Sequence, residues 1–301
     1  MAINTRLILP DQYLATQLPA LQELILSDME SWPDMVPTLA KIRPATGSIA
    51  QTTEQTGVGQ AQAIPEGASV NYATIAQGNS FTAQYIKYGI GAIITREMME
   101  DGKLQDAAEI IRSLPRSMHD LKQRLFADNF NNGFTVNGYD GVPLFSTNHP
   151  IVNGGGVQAN TPSVQVDLTV DSLEEGFTQI SQWVTQEGLR WMAKPEYMLV
   201  SPGNSYGAYQ LLNSDYTPDS ANNAVSSVKR FGLKMVESPY ITDTDAWFIR
   251  CTQHYLFWWD RQDPMLESFP DFDITATKHK ITARWTTGHG SYYGWYGSRG
   301  N

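Results

Sequence analysis

The chain has 301 residues, with Lys+Arg 21 against Asp+Glu 31, so its formal net charge is −10. That acidic balance argues against a surface built to grip phosphates, which needs a concentrated basic field, and 41% hydrophobic with 11% aromatic content excludes global disorder. Charged residues make up only 17% of the chain, against about 25% in an ordinary soluble domain, which suits a protein whose surface is largely occupied by copies of itself. The single cysteine, Cys251, excludes an intramolecular disulfide and a cysteine-based zinc site. No run of about 18 apolar residues occurs, and residues 1–10 lack the layout of a signal peptide, so the expectation is synthesis as a soluble intracellular protein without a membrane span.

Residues 11–30 read as a helix, because Leu14, Leu18, Leu21 and Ile25 recur at helical spacing; Trp32, Pro33, Pro37 and Pro44 then form a proline-punctuated connector. Residues 44–80 carry only two charges, Glu54 and Glu66, and one aromatic, Tyr72. So few large apolar groups cannot offset about 1–2 kcal/mol of backbone entropy per residue by burial within the segment. The segment is therefore either a disordered linker or a long two-stranded excursion that lies on a neighbouring subunit. The run Phe81, Tyr85, Tyr88, Ile90, Ala92, Ile94 favours the second reading, since it suggests a strand leading out of the excursion toward a core.

Leu104, Ala107, Ile111, Leu114, Met118, Leu121 and Leu125 make one apolar stripe, predicting a helix over 104–131 that lies across a sheet, with Pro115 inside it and Asn131-Asn132-Gly133 ending it. Turn chemistry surrounds a strand-like 142–145. Ser172-Leu173-Glu174-Glu175 reads as a capping box opening a helix with Leu173, Phe177, Ile180 and Val184 on its buried face. A strand is expected at 197–200, a helix at 203–213 and a polar loop at 214–228, followed by strands at 247–251 and 255–259. Two further strands carry Phe272, Ile274, Ala276 and Ile281, Ala283, Trp285, turning at Lys278-His279-Lys280.

Catalytic signatures are weak. Gly203-Asn204-Ser205-Tyr206-Gly207 matches the G-x-S-x-G nucleophile elbow, with Asp243 or Asp245 and His254, His279 or His289 in the right chain order. Yet residues 44–95 supply no helix for the repeated strand-helix-strand sheet that such an elbow needs, and Ser201-Pro202 reads equally as a strand-to-helix turn with an N-cap. The five histidines show no i, i+4 pair; His149 in a Pro-flanked loop and His119 on the long helix are expected to be solvated or capping. Gly57-Val58-Gly59 and Gly89-Ile90-Gly91 lack the third glycine of a dinucleotide fingerprint. The aromatics Trp285, Tyr292, Tyr293, Trp295 and Tyr296 have no interleaved Lys or Arg and read as sheet core or subunit interface. No catalytic, cofactor-binding or metal-ligating residue is assigned.

The order of elements, with the stretches Ile94-Thr95-Arg96-Glu97-Met98-Met99-Glu100-Asp101, Asp140-Gly141-Val142-Pro143-Leu144-Phe145-Ser146-Thr147-Asn148-His149-Pro150 and Tyr293-Gly294-Trp295-Tyr296-Gly297, resembles the major capsid proteins of tailed bacteriophages with the Hong Kong 97-type fold, especially the Mu-like major head subunit group. The resemblance implies an α+β fold made of an N-terminal arm (1–43), an extended β-hairpin loop (44–88), a peripheral domain with a long spine helix (89–138), an inserted axial domain (139–250) and return strands of the peripheral domain (251–301). It further implies self-assembly into hexamers and pentamers of an icosahedral head around double-stranded DNA that is enclosed without specific binding. The other implied partners are a separate scaffolding protein, because no long charged helical extension precedes the arm, and a portal; whether a decoration protein binds is left open. Assembly in the host cytoplasm, location in the virion and no enzymatic activity are expected. The alternatives are a serine hydrolase using Ser205, or another virion assembly protein such as a tube or decoration subunit.

Overall fold

The computed structural model describes residues 32–45, 47–55, 57–72, 77–101, 104–151, 156–214, 227–271, 273 and 276–301. The helix expected over 11–30, nearly all of the polar loop at 214–228, and Phe272 and Ile274 lie outside these residues. In chain order the first half comprises α1 (Val36–Leu39), β1 (Lys41–Pro44), β2 (Ile49–Gln55), β3 (Gln77–Gln84), β4 (Ile86–Thr95), α2 (Arg96–Glu100), α3 (Leu104–Asn131), β5 (His149–Ile151) and β6 (Gly156–Gln158). The second half comprises α4 (Val170–Gln182), β7 (Pro195–Val200), α5 (Pro202–Asn213), a short 3-10 turn, β8 (Lys234–Glu237), β9 (Trp247–Cys251), β10 (Leu256–Asp271), β11 (Ala276–His289) and β12 (Trp295–Ser298).

The first sheet has the order β1-β10-β11-β4, with β1 parallel to β10 and the other pairs antiparallel. The long helix α3 lies on one face of it, as its stripe requires: Ala107, Ile111, Leu114 and Met118 are buried with Ile94, Ile281, Ala283 and Trp285. Past Met118 the buried line passes to Phe126, Ala127 and Phe130, while Leu121 and Leu125 are only partly covered. A straight helix drifts relative to a strict 3-4 repeat, so a fixed heptad stripe leaves the sheet-facing side over several turns. Pro115 is buried inside the helix. The start of the described chain is tied to the same helix, where Asp34 bonds Lys122 (2.6 Å) and Gln123 (2.8 Å). Those partners outweigh burial and hold the Asp34 carboxyl below its ordinary range.

Strand β11 alternates cleanly. Thr277, His279, Ile281, Ala283 and Trp285 are buried, whereas Lys278 and Lys280 point outward and pair with Asp271 and Glu267 on β10. The hairpin turn expected at 278–280 therefore lies earlier, between Asp271 and Ala276, which are cross-strand partners. The two lysines mark the solvated face of a strand rather than a bend. The strand expected at 142–145 is irregular chain, joined to Asn137 only through a bridge at Pro143.

The second sheet has the order β12-β9-β7-β8. Its core joins Leu173, Phe177 and Ile180 of α4 and Ala208 and Leu212 of α5 to Met198, Val200, Trp247 and Ile249. The cap of helix α4 lies three residues before the expected one: Thr169 is the N-cap, and Ser172 closes the capping box from the N3 position. The return segment does not stay in the first sheet to its end, since Trp295–Ser298 pairs with Trp247–Cys251. Phe130 of α3 meets both Phe248 (5.1 Å between centroids) and Trp295 (4.8 Å), which joins the two layers into one aromatic seam.

The excursion is a two-stranded antiparallel hairpin of β2 and β3. Its root packs Ala50 and Phe81 on Phe257 and Trp259, Phe81 stacking on Trp259 at 5.8 Å and 11°. A side chain at Gly288 would occupy the space of the Phe81 ring. Between the strands, residues 57–72 are all exposed.

Gly294 has φ +88, and a Cβ there would overlap the Gln253 carbonyl and the His254 backbone. The left-handed conformation alone costs a non-glycine residue about 1–2 kcal/mol. With the overlap added, Gly294→Ala is expected to lower unfolding free energy by more than about 2 kcal/mol in urea titration, through a reduced midpoint at unchanged slope.

Candidate functional site

The stretch 139–150 folds back on itself. Gly141 adopts φ +83, the Gly138 N–H donates to Val142 O (2.8 Å), and the Val142 N–H donates to Asp140 Oδ1 (3.3 Å). This turn aims Asp140 at His149, whose Nδ1 lies 2.6 Å from Asp140 Oδ2. The Nε2 atom of His149 sits 3.2 Å from both Leu144 O and Asn160 Oδ1. Asn160, fully buried, donates to Leu144 O (2.7 Å) and Trp295 O (3.2 Å), and accepts from the Ser146 N–H (2.9 Å). Tyr292 stacks on the His149 ring at 3.9 Å and 12°. His149 is 1% exposed, which corrects the expectation of a solvated loop histidine. A polar ring can be buried here because the surrounding backbone and side chains supply its partners.

The hairpin enters the same region through Glu54 on β2. Ser291 Oγ donates to Glu54 Oε1 (3.4 Å), and the Tyr139 hydroxyl lies 3.3 Å from that same Ser291 Oγ. Burial first, and then the nearby Asp140 and Glu187 carboxylates, push the Glu54 carboxyl up to about 7, against the hydrogen bonds of Gln186 and Ser291. Burial likewise pushes the Tyr139, Tyr292 and Tyr293 phenols upward and His289 down to about 4. Glu187 accepts from the Gly57 N–H (2.6 Å), clipping the outgoing strand to the segment after α4. Between these parts lies a cavity of about 380 Å³, lined among others by Arg43, Glu54, Gln186, Glu187, Trp191 and Tyr293. Three distant stretches, the hairpin root, the 139–160 fold-back and the 289–296 return, thus meet in one polar junction. Glu54, Asn160 and Ser291 are the members that sequence reasoning misses. A shift toward neutrality in a cavity is a signal of function; here the shifted carboxyl and its hydroxyl partners tie three distant stretches of chain together, which is the arrangement of a joint.

The proposed elbow is not assembled into a triad. Ser205, in the first turn of α5, donates its hydroxyl to Pro202 O (2.9 Å), and Ser201 is the N-cap. Asp243 caps its own turn by accepting from the Asp245 N–H (3.1 Å). His279 pairs with Ser268 (2.6 Å), His289 abuts Phe81 and Tyr139, and His254 is driven down to about 3 by burial and by the Arg250 and Lys41 charges. His119, the other exception to solvation, is half-buried edge-on to Trp32. Among the described residues, no three His, Cys, Asp or Glu side chains converge as a metal site.

Residues 80–297 match a family model described as phage capsid protein. Among solved structures, the chain is similar to a virus-like particle from Pyrococcus furiosus, with 8% identity, TM-score 0.57, and coverage of 93% of this chain and 98% of that one. It is similar to the procapsid of bacteriophage JBD30, with 13% identity, TM-score 0.53, and coverage of 97% and 76%. The capsid of the cyanophage P-SCSP1u follows, with 12% identity, TM-score 0.52, and coverage of 86% and 85%. A search of curated proteins finds no match by sequence. These likenesses show the fold, which is the Hong Kong 97-type α+β arrangement.

The Glu54 carboxyl yields a signed pH dependence. An unfolded glutamate ionises from about 4.5, whereas the folded one keeps its proton to about 7, so stability present below the lower value is lost as pH rises through the upper one. Glu54→Gln is expected to remove that slope and to raise unfolding free energy at pH 8 by about 1–2 kcal/mol, after discounting for the partial exposure of the site. Paired urea titrations of the two proteins at pH 5 and pH 8 measure it.

Proposed function

Because this chain belongs to the phage capsid protein family and is a major capsid protein forming the phage head, we propose that it tiles that head as hexamers and pentamers, each subunit clasping its neighbours through the β2–β3 excursion. One observation carries the reading: residues 57–72 are exposed throughout, yet include Val58, Ile64, Val70 and Tyr72, the last 88% accessible. A stretch with these side chains and so little cover in its own subunit is explained by cover from another copy. The polar junction then serves as the joint that aims the hairpin out of the body.

The segments have matching roles. Residues 1–43 act as the arm, 44–88 as the extended loop and 89–138 with most of 251–301 as the peripheral domain; 139–250 form the axial domain, with β12 inserted into its sheet. A separate scaffolding protein and a portal are the expected partners, and assembly takes place in the host cytoplasm before the virion is complete. The net charge of −10 supports an enclosure that holds double-stranded DNA without gripping its phosphates. The role is structural rather than enzymatic, in keeping with a Ser205 hydroxyl committed to Pro202 O.

Removing residues 57–72 and joining their flanks with a short Gly-Ser link spares Ala50 and Phe81, the hairpin's anchors. This deletant is expected to fold, with an unfolding midpoint near that of the parent, but to form no closed shells in electron micrographs; normal shells would refute the clasp. Ser205→Ala is expected to assemble normally, and neither protein should be labelled by a fluorophosphonate probe.

A further inference from the structure

Strand β4 is an edge. It pairs with β11 on one side in unbroken register from Ile86 to Thr95, and no strand pairs with its other side among the described residues. Such an edge offers a row of unpaired backbone donors and acceptors, and proteins ordinarily blunt it with bulges, prolines or charges. Strand β4 has no proline, no register shift and one charge, Lys87. Alternate residues of a strand share a face. Tyr88, Ala92 and Ile94 lie against the core under α3, but Ile86 and Ile90 on that same face remain 53% and 43% exposed. Both the backbone edge and a strip of apolar side chain beside it are uncovered.

The excursion carries the matching half. Ala68, Ser69, Val70, Asn71 and Tyr72 alternate small or apolar with polar residues, the period of a half-buried strand. All five are exposed, and none belongs to a strand. The only charge in residues 57–72 is Glu66, opposite in sign to Lys87.

We propose that residues 68–72 of one copy add as a strand to the open edge of β4 in a neighbouring copy, with Val70 and Tyr72 on the face that carries Ile86, Tyr88 and Ile90. Backbone hydrogen bonds supply the attachment and alternate side chains set the register, as in strand addition generally. The inference rests on the clasp reading and names the surface that receives it. It also explains why an edge of ten residues goes unguarded: the shell closes it.

The test uses shells assembled from the full chain carrying Val70→Cys with Ile90→Cys and, separately, Val70→Cys with Ile86→Cys. Cys251 is fully buried, with its thiol pushed up to about 12 by that burial, so it stays out of the chemistry. After mild oxidation, one of the two pairs is expected to give a ladder of disulfide-linked multimers on non-reducing gels, while the single-cysteine variants stay monomeric. Absence of a ladder from both pairs in intact shells overturns the proposal; if the 57–72 deletant still fails to assemble, the clasp reading survives and only the receiving surface is wrong. Should the cysteine variants not assemble, an electron cryo-microscopy map of the unmodified shell decides. A neighbour's 68–72 traced along β4 supports the proposal, and a solvent-filled edge refutes it.

Discussion

The aromatic seam where α3 ends holds the subunit together. Phe130 touches Phe248 of the second sheet and Trp295 of the return segment, while the rest of its helix is buried on the first sheet. Burying each such side chain contributes about 1.5–3 kcal/mol, and edge-on aromatic pairs add about 0.5–1.5 kcal/mol. Because one helix serves both layers, neither sheet can shift without opening the other's core. The glycines at this seam follow from the same crowding: a Cβ at Gly297 would enter the ring of Phe248, and one at Gly176 the ring of Tyr296.

Beside the seam sits the polar junction, and the two are complementary. The seam is dense and apolar, so it fixes distances; the junction is built from directional hydrogen bonds, so it fixes orientations. Asp140, His149 and Asn160 tie the fold-back to the return strand, and Glu54 with Ser291 attaches the hairpin root. Leaving a carboxyl with raised proton affinity at that root gives the attachment a dependence on acidity that an apolar contact lacks. For a subunit of a closed lattice, the direction in which the hairpin leaves the body decides which neighbour it meets.

Some elements were legible because local chemistry and tertiary demand agree in them. The bounds of the long helix follow from its stripe and its Asn-Asn-Gly stop, and the hairpin character of 44–80 follows from a composition that cannot pack on itself. Other readings failed where a long-range partner outvoted the local signal. Lys278 and Lys280 resemble a turn until Asp271 and Glu267 are seen across the strand. Ser172 resembles an N-cap until Thr169 takes that place. His149 resembles a solvated loop residue until Asp140, nine positions away, closes on it. Of the junction, the stretch 140–150 was visible as a pattern without a purpose, whereas Glu54, Asn160 and Ser291 carry no motif and are made neighbours only by the fold.

By itself the sequence determined the class of subunit: an α+β chain with one long amphipathic helix and an undercharged excursion that its own core cannot cover. Those properties are written in periodicity and composition, which act over a few residues and survive without knowledge of neighbours. Only the tertiary structure decided that β12 crosses into the second sheet, that the half-buried Glu54 anchors the hairpin, and that no described strand pairs with the outer side of β4. Each of these is a statement about segments far apart in the chain, and burial and hydrogen bonding between such segments become defined only when the chain has folded.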